Sequence, residues 1–210
     1  LYVYGGAGVD PGDIHSLCCE TLRPRRLVGD GGLLEAWERT VPALGEASTR
    51  RHEVTVLAFE GSQTRPSGFR QGRLSDVPLV GELLRQLRLE SQDEGEEISP
   101  ELLLKHELVY VFEEETRVRG VILSNLSDGR YVHGGSVYVH PAYRGRGIGR
   151  RLAAGLGDHV RKTLGATVVL DVFGENQSAL AAYGAAGYRP VGRGLAIWVD
   201  QDSWERGFAD

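Results

Sequence analysis

Apolar residues recur every fourth position through one stretch of the chain: Ile148, Leu152, Leu156, Val160 and Leu164 form a single stripe. That spacing collects side chains on one face of an α-helix. Arg150, Arg151, Arg161 and Lys162 fall off the stripe, so the pattern predicts an amphipathic helix with a basic outer face. Before it, residues 131–139 read as a strand, with Gly134-Gly135 marking a bulge. After it, residues 167–173 form a valine-rich run of the kind that makes an interior strand. Asn176 opens a helix that passes Tyr183 and ends at Gly187. Two closing strands follow, at 188–191 and 195–199.

The pattern upstream is similar in quality. Asp76 is placed to cap a helix carrying Leu79, Leu83, Leu84 and Leu87 on one face. Ser99-Pro100-Glu101 opens a second, short helix, with serine as cap and proline in the first turn. Between them, residues 92–97 are acidic and read as solvated surface. Strands at 108–112 and 118–126 join through an acidic turn at 113–115, and Asp128-Gly129 supplies the next tight turn.

The first 60 residues are less regular. They contain a helix-like run at 33–44 and a strand-like run at 54–59, then a polar, Pro-containing linker at 60–68. The expected organisation is an N-terminal α/β segment with linker at 1–66, one main domain at 67–200, and a tail at 201–210.

Composition narrows the class. Of 210 residues, 41% are hydrophobic and 25% charged, as in an ordinary globular protein. The formal net charge of -5, with no long basic run, argues against a nucleic-acid coat. Cys18 and Cys19 are adjacent and have no further ligands nearby, so neither a disulfide framework nor a metal site is expected. No apolar stretch approaches the ~20 residues that span a bilayer, and the first ten residues lack a signal-peptide pattern. A cytoplasmic protein without a membrane partner is the expectation. The chain begins at Leu1 and has no methionine, so its natural start is expected to lie upstream.

The chemistry concentrates in residues 137–150, a strand, a turn and a helix start with Gly145, Gly147 and Gly149 alternating. Glycine permits positive φ and close approach of the backbone, and a helix start leaves N–H groups pointing outward. Together they suit a phosphate or pyrophosphate, with Arg144, Arg146 and Arg150 adding charge. The dinucleotide fingerprint G-x-G-x-x-G fails at Arg150, and no Lys-Ser or Lys-Thr follows to make a P-loop.

Arg144-x-x-Gly147-x-Gly149, preceded by a Val-x-Val-x-Pro strand end, resembles the R/Q-x-x-G-x-G/A motif of GNAT superfamily N-acetyltransferases. Asn176-x-x-Ala179-x-x-x-Tyr183-x-x-x-Gly187-Tyr188 resembles that family's second signature, in the right order. The resemblance runs from about Phe69 to Val199. It implies an α/β (α+β) GNAT acyl-CoA N-acyltransferase fold: a central mixed, mostly antiparallel sheet flanked by helices, here with an extra small N-terminal segment.

It also implies acetyl-CoA as co-substrate, no metal, and a small-molecule or peptide amine as acceptor. Homodimers are common in the family. By resemblance the pyrophosphate lies on the amides of Gly145, Arg146, Gly147, Ile148, Gly149 and Arg150. The pantetheine arm runs beside Val137, Tyr138 and Val139, with the Val139 amide near the thioester carbonyl, and Asn176 touches the coenzyme. Tyr183 corresponds to the tyrosine that protonates the departing thiolate. Asp171 occupies the place of the base glutamate in ribosomal-protein-type members, although it is shorter. His133 lies roughly where histone-type members carry theirs. Glu113 and Glu114 are weaker candidates for that role. The other class of reading is a catalytically degenerate acyl-CoA sensor or structural module.

Overall fold

The computed structural model describes residues 2–3, 26–30, 34–35, 48–61, 67–91, 99–127, 129–200 and 202. The adjacent cysteines, most of the helix-like run, the middle of the linker, the acidic loop, Asp128 and nearly all of the tail lie outside the described residues. In chain order the elements are β1 (Tyr2–Val3), β2 (Arg26–Asp30), β3 (Ser48–Phe59), β4 (Phe69–Gln71), α1 (Val77–Ser91) and α2 (Pro100–Lys105). Then come β5 (Val109–Glu114), β6 (Arg117–Ser127), β7 (Tyr131–Val139), α3 (Ile148–Leu164), β8 (Thr167–Phe173), α4 (Gln177–Ala185) and β9 (Tyr188–Val199). Single 3-10 turns at Leu74–Asp76 and Pro141–Tyr143 precede α1 and α3.

The chain divides into two compact units. The larger comprises Leu57–Leu170 and Asn176–Pro190. Its strands are ordered β8-β7-β6-β5-β4. Every pair is antiparallel except β7 with β8, which run parallel from Tyr131↔Thr167 to Gly134↔Leu170. This is the expected mixed, mostly antiparallel sheet with helices.

One core cluster of this unit brings Val80 and Leu83 of α1 and Leu103 and Leu104 of α2 onto Val109, Val111, Val121, Leu123 and Tyr138. Each fully buried aliphatic side chain there contributes about 1.5–3 kcal/mol. Leu84 and Leu87 pack partly against the cluster, whereas Leu79, read from sequence as part of that face, is 47% exposed. Asp76 also differs from its reading. It ends the 3-10 turn, and its carboxylate points back to accept the Arg73 amide at 2.8 Å.

The stripe of α3 is buried at Ile148, Leu152, Leu156 and Val160 and breaks at Leu164, which is 63% exposed. The physical reason is the end of the helix: Gly165 closes it with φ 65° and bonds back to Arg161. Ladder shifts in β6–β7 flank Gly134-Gly135, and Ser136 holds a positive φ of 49°. A Cβ on Gly134 would lie 2.9 Å from both Leu156 and Leu170, so this glycine lets α3 and β8 close on β7.

The smaller unit comprises Leu1–Val56, Asp171–Glu175 and Val191–Asp210. In it β1 runs parallel to β2, and β2 pairs antiparallel with β9 from Arg26↔Trp198 to Asp30↔Gly194. The two predicted closing strands are one continuous strand, β9. Val28, Val54 and Ala196 form a small core, with Phe173 and Trp198 packed against it.

Candidate active site

After Val139, the His140 ring Nδ1 accepts the Ala142 amide at 3.2 Å and turns the chain into the short Pro141–Tyr143 helix. Gly145 and Gly147 then take positive φ values of 75° and 74°, which L-residues adopt only with strain. A Cβ at either would meet nothing within 4 Å. Glycine is therefore required by conformation rather than by space. Left-handed residues alternating with ordinary ones fold the amides into a concave nest, and Gly147 is itself the N-cap of α3.

This nest forms one side of a cleft of about 970 Å³ within the larger unit. Val137, Tyr138 and Val139 of β7 line it, with Arg144 through Arg150 of the turn. So do Asn176 and Tyr183 of the α4 region. Every residue expected to hold the coenzyme thus faces one space. The described lining residues include three arginines, Arg144, Arg146 and Arg150, and one carboxylate, Glu90. The helix N-terminus adds its partial positive charge.

Asn176 caps α4: its Oδ1 accepts the Ala179 amide at 3.1 Å and the Ser178 hydroxyl at 3.0 Å. Tyr183, on the same helix, is 9% exposed, and burial pushes its phenol up to about 12. Its ring lies 6.1 Å from that of Tyr188, whose buried hydroxyl donates to the Ala153 carbonyl at 3.0 Å. Tyr188 therefore packs behind Tyr183 and ties it to α3.

The two candidate bases sit differently. His133 is buried at 6% exposure, its Nδ1 3.4 Å from Asn125 Nδ2, and it is not among the cleft-lining residues. Asp171 belongs to the smaller unit, half-buried on β8, on the opposite face from Val168, Leu170 and Val172. Glu113 is held by Arg70 through that residue's Nε at 2.7 Å and through Nη2.

Sequence reasoning passed over Leu87, Glu90 and Tyr143, which also line the cleft. Glu90 accepts from the Tyr138 hydroxyl at 2.6 Å and from Arg144 Nη2 at 2.9 and 2.8 Å. The Tyr138 hydrogen bond, then Arg144, holds its carboxyl below the usual range. Tyr143 lies under the Arg119 guanidinium at 4.0 Å, with Arg146 5.1 Å from the same ring. No local pattern marks these residues, because the approach of α1 to the turn is tertiary.

Among the described residues no helix is long and apolar enough to cross a membrane, and no cluster of three His, Cys, Asp or Glu could hold a metal ion. Comparison with known proteins gives matches of three kinds. The model of the Acetyltransferase (GNAT) family matches residues 79–188. The chain is 47% identical over 57 residues to N-alpha-acetyltransferase RimI of Mycobacterium tuberculosis (strain ATCC 25618 / H37Rv), covering 27% of this chain and 34% of that protein. It thus spans about a third of the curated relative it matches.

Among solved structures, a putative GNAT-family acetyltransferase from Novosphingobium aromaticivorans superposes with TM-score 0.56 at 18% identity, over 71% of this chain and 65% of that one. A GNAT-family acetyltransferase from Colwellia psychrerythraea gives 0.57 at 12% identity, over 90% and 72%. These two share the fold. The glycine nest, the capped α4 with its tyrosine and the family match over half the chain agree: the chain belongs to the GNAT acetyltransferase family.

Proposed function

We propose that this chain binds acetyl-CoA in the β7–α3–α4 cleft and transfers the acetyl group to a primary amine by direct attack on the thioester. The observation that carries this reading is that the amide nest and the buried Tyr183 line the same cleft. The donors present fit a diphosphate: outward amides in a concave turn, open space above Gly145 and Gly147, and an excess of cations. Acetyl-CoA supplies an activated thioester, and the remaining work falls to the protein.

The turn from Gly145 to Arg150 holds the diphosphate, and Val137 to Val139 run beside the pantetheine arm. The Val139 amide donates to the thioester oxygen as negative charge develops on it. Tyr183, fully protonated at neutral pH, donates its proton to the sulfur as the carbon–sulfur bond breaks. An amine with a pKa near that of lysine, ~10, arrives mostly protonated and must lose a proton before it attacks. Neither candidate base, Asp171 nor His133, is among the residues lining the cleft, and the burial of His133 weighs further against that residue.

The test is isothermal titration of acetyl-CoA into the wild type, Gly147→Glu and Gly147→Asn. Asparagine tolerates the left-handed conformation and adds no charge, so it should fold and retain binding. Glutamate adds a carboxylate where the diphosphate belongs and should abolish binding. Absence of binding by folded wild type would sink this reading. Binding without CoA release across a panel of amines would instead identify an acyl-CoA sensor.

A further inference from the structure

Arg144 opens the glycine-rich motif, and its charge invites assignment to the diphosphate. Its contacts point elsewhere. Nε donates to the Val139 carbonyl at 3.0 Å, Nη2 bonds both oxygens of Glu90, and the guanidinium lies 5.0 Å from the centre of the Tyr138 ring. Tyr138 closes the triangle by donating to Glu90 at 2.6 Å. Arg146 and Arg150 differ, since among the described residues neither meets a carboxylate.

We infer that Arg144 is an internal strut: Glu90 and Tyr138 position its guanidinium to hold the Val139 carbonyl, leaving Arg146 and Arg150 as the cations that meet the diphosphate. The inference rests on the acetyl-CoA reading and deepens it.

Two physical arguments support it. A guanidinium paired with a carboxylate at hydrogen-bond distance presents a dipole to a third charge, so its attraction for an incoming anion falls steeply with distance. Arg144 and Glu90 are 46% and 45% exposed, and an exposed pair adds little stability by itself. What distinguishes this pair is geometry. Tyr138 is only 4% exposed and fixed in the α1–β7 core, so it aims the carboxylate, and the carboxylate aims the arginine. The result bears on the peptide after Val139, beside the amide placed at the thioester.

The experiment titrates CoA at low and high salt into the wild type, Glu90→Gln, Arg144→Gln, the double variant of those two, Arg146→Gln and Arg150→Gln. Infrared difference spectra of carbonyl-labelled acetyl-CoA are recorded on each. Arg146→Gln and Arg150→Gln should each weaken CoA about three- to tenfold at low salt and flatten the salt dependence. Arg144→Gln should move the bound thioester stretch toward its value in free solution. The Glu90→Gln/Arg144→Gln double variant, which removes the neutral pair together, should do so with the wild-type salt dependence.

Glu90→Gln should move two readouts in opposite senses. With the arginine charge released, CoA binds more tightly at low salt, while polarisation of the thioester falls as in Arg144→Gln. A purely structural contact would not give that pair of changes. If the double variant flattens the salt dependence as Arg146→Gln and Arg150→Gln do, or Glu90→Gln leaves the stretch unchanged, the strut is overturned while the coenzyme site stands. A wild type that binds no CoA overturns the acetyl-CoA reading and the strut with it.

Discussion

Asn176 Oδ1 accepts the amide hydrogen of Ala179 at 3.1 Å, so a residue that faces the cleft is also the N-cap of the helix bearing Tyr183. The two roles separate by substitution. Asn176→Ala removes the cap and should cost about 1 kcal/mol, lowering Tm by about 2–4 °C. Asn176→Asp keeps a capping oxygen and should hold Tm near the wild type. It also adds a carboxylate to a cleft read as binding an anion, so acetyl-CoA affinity should drop. Calorimetric Tm beside titrated affinity checks both, and an alanine variant with unchanged Tm would refute the capping role.

Tyr183 gives a pH prediction. Burial raises its phenol from 10.0 to about 12, so the folded state holds this proton more tightly than the unfolded chain. Its contribution to stability is complete below pH ~10 and is lost as pH rises through 12. Two pH units correspond to about 3 kcal/mol. Tyr183→Phe should therefore lose part of the wild-type drop in stability between pH 10 and 12, measured by urea unfolding across that range. Its acetyl-transfer rate should fall about 100-fold or more with coenzyme affinity nearly unchanged. An equal loss of affinity and rate would make the residue a packing group.

The parts of this site legible in the sequence are those encoded locally. The four-residue stripe of α3, the alternating glycines and the Asn176 to Tyr183 spacing each report a single stretch of backbone, and the structure brings the glycines, Asn176 and Tyr183 to one cleft. Glu90 was not legible. Its partners Tyr138 and Arg144 are 48 and 54 residues away, and nothing around a glutamate late in a helix reveals them. His133 shows the converse. A titratable residue at the start of the motif strand looks available until the ladder and Asn125 enclose it. Leu79 and Leu164 fit their helical patterns but lie where the helices meet solvent, which periodicity alone cannot tell.

Asp76 supplies a prediction at acid pH. Arg70 bonds both its oxygens, Nη1 at 2.7 Å and Nη2 at 3.0 Å, and the Arg73 amide adds a third bond. The Arg70 hydrogen bond is the main reason its carboxyl lies below the ordinary 3.8. Its contribution is present above that value and lost as pH falls toward the depressed folded pKa. Asp76→Asn should cost about 2–3 kcal/mol at neutral pH, because a buried charge-assisted network loses its anion. Glu113 still holds Arg70, which limits the loss. The gap between wild type and variant, from urea midpoints, should narrow as pH drops below 4. A gap independent of pH would mean that the ion pair is not what stabilises the turn.

The glycines of the helices predict opposite outcomes for one substitution. Within α3, a Cβ on Gly155 would lie 2.3 Å from ring carbons of Phe69. That ring cannot easily withdraw, because it stacks on Tyr110 at 5.5 Å with planes only 5° apart. Alanine in a helix gains about 1 kcal/mol over glycine, whereas overpacking a filled core costs about 1–3 kcal/mol. Gly155→Ala should therefore destabilise by up to about 2 kcal/mol. Within α4, a Cβ on Gly184 meets nothing within 4 Å, so Gly184→Ala should stabilise by up to about 1 kcal/mol. Phe69→Leu should make Gly155→Ala less costly, since the smaller side chain leaves room for the methyl group. If Gly155→Ala stabilises the wild type, the close approach of α3 to Phe69 is wrong, and the helix sits further from the sheet than described.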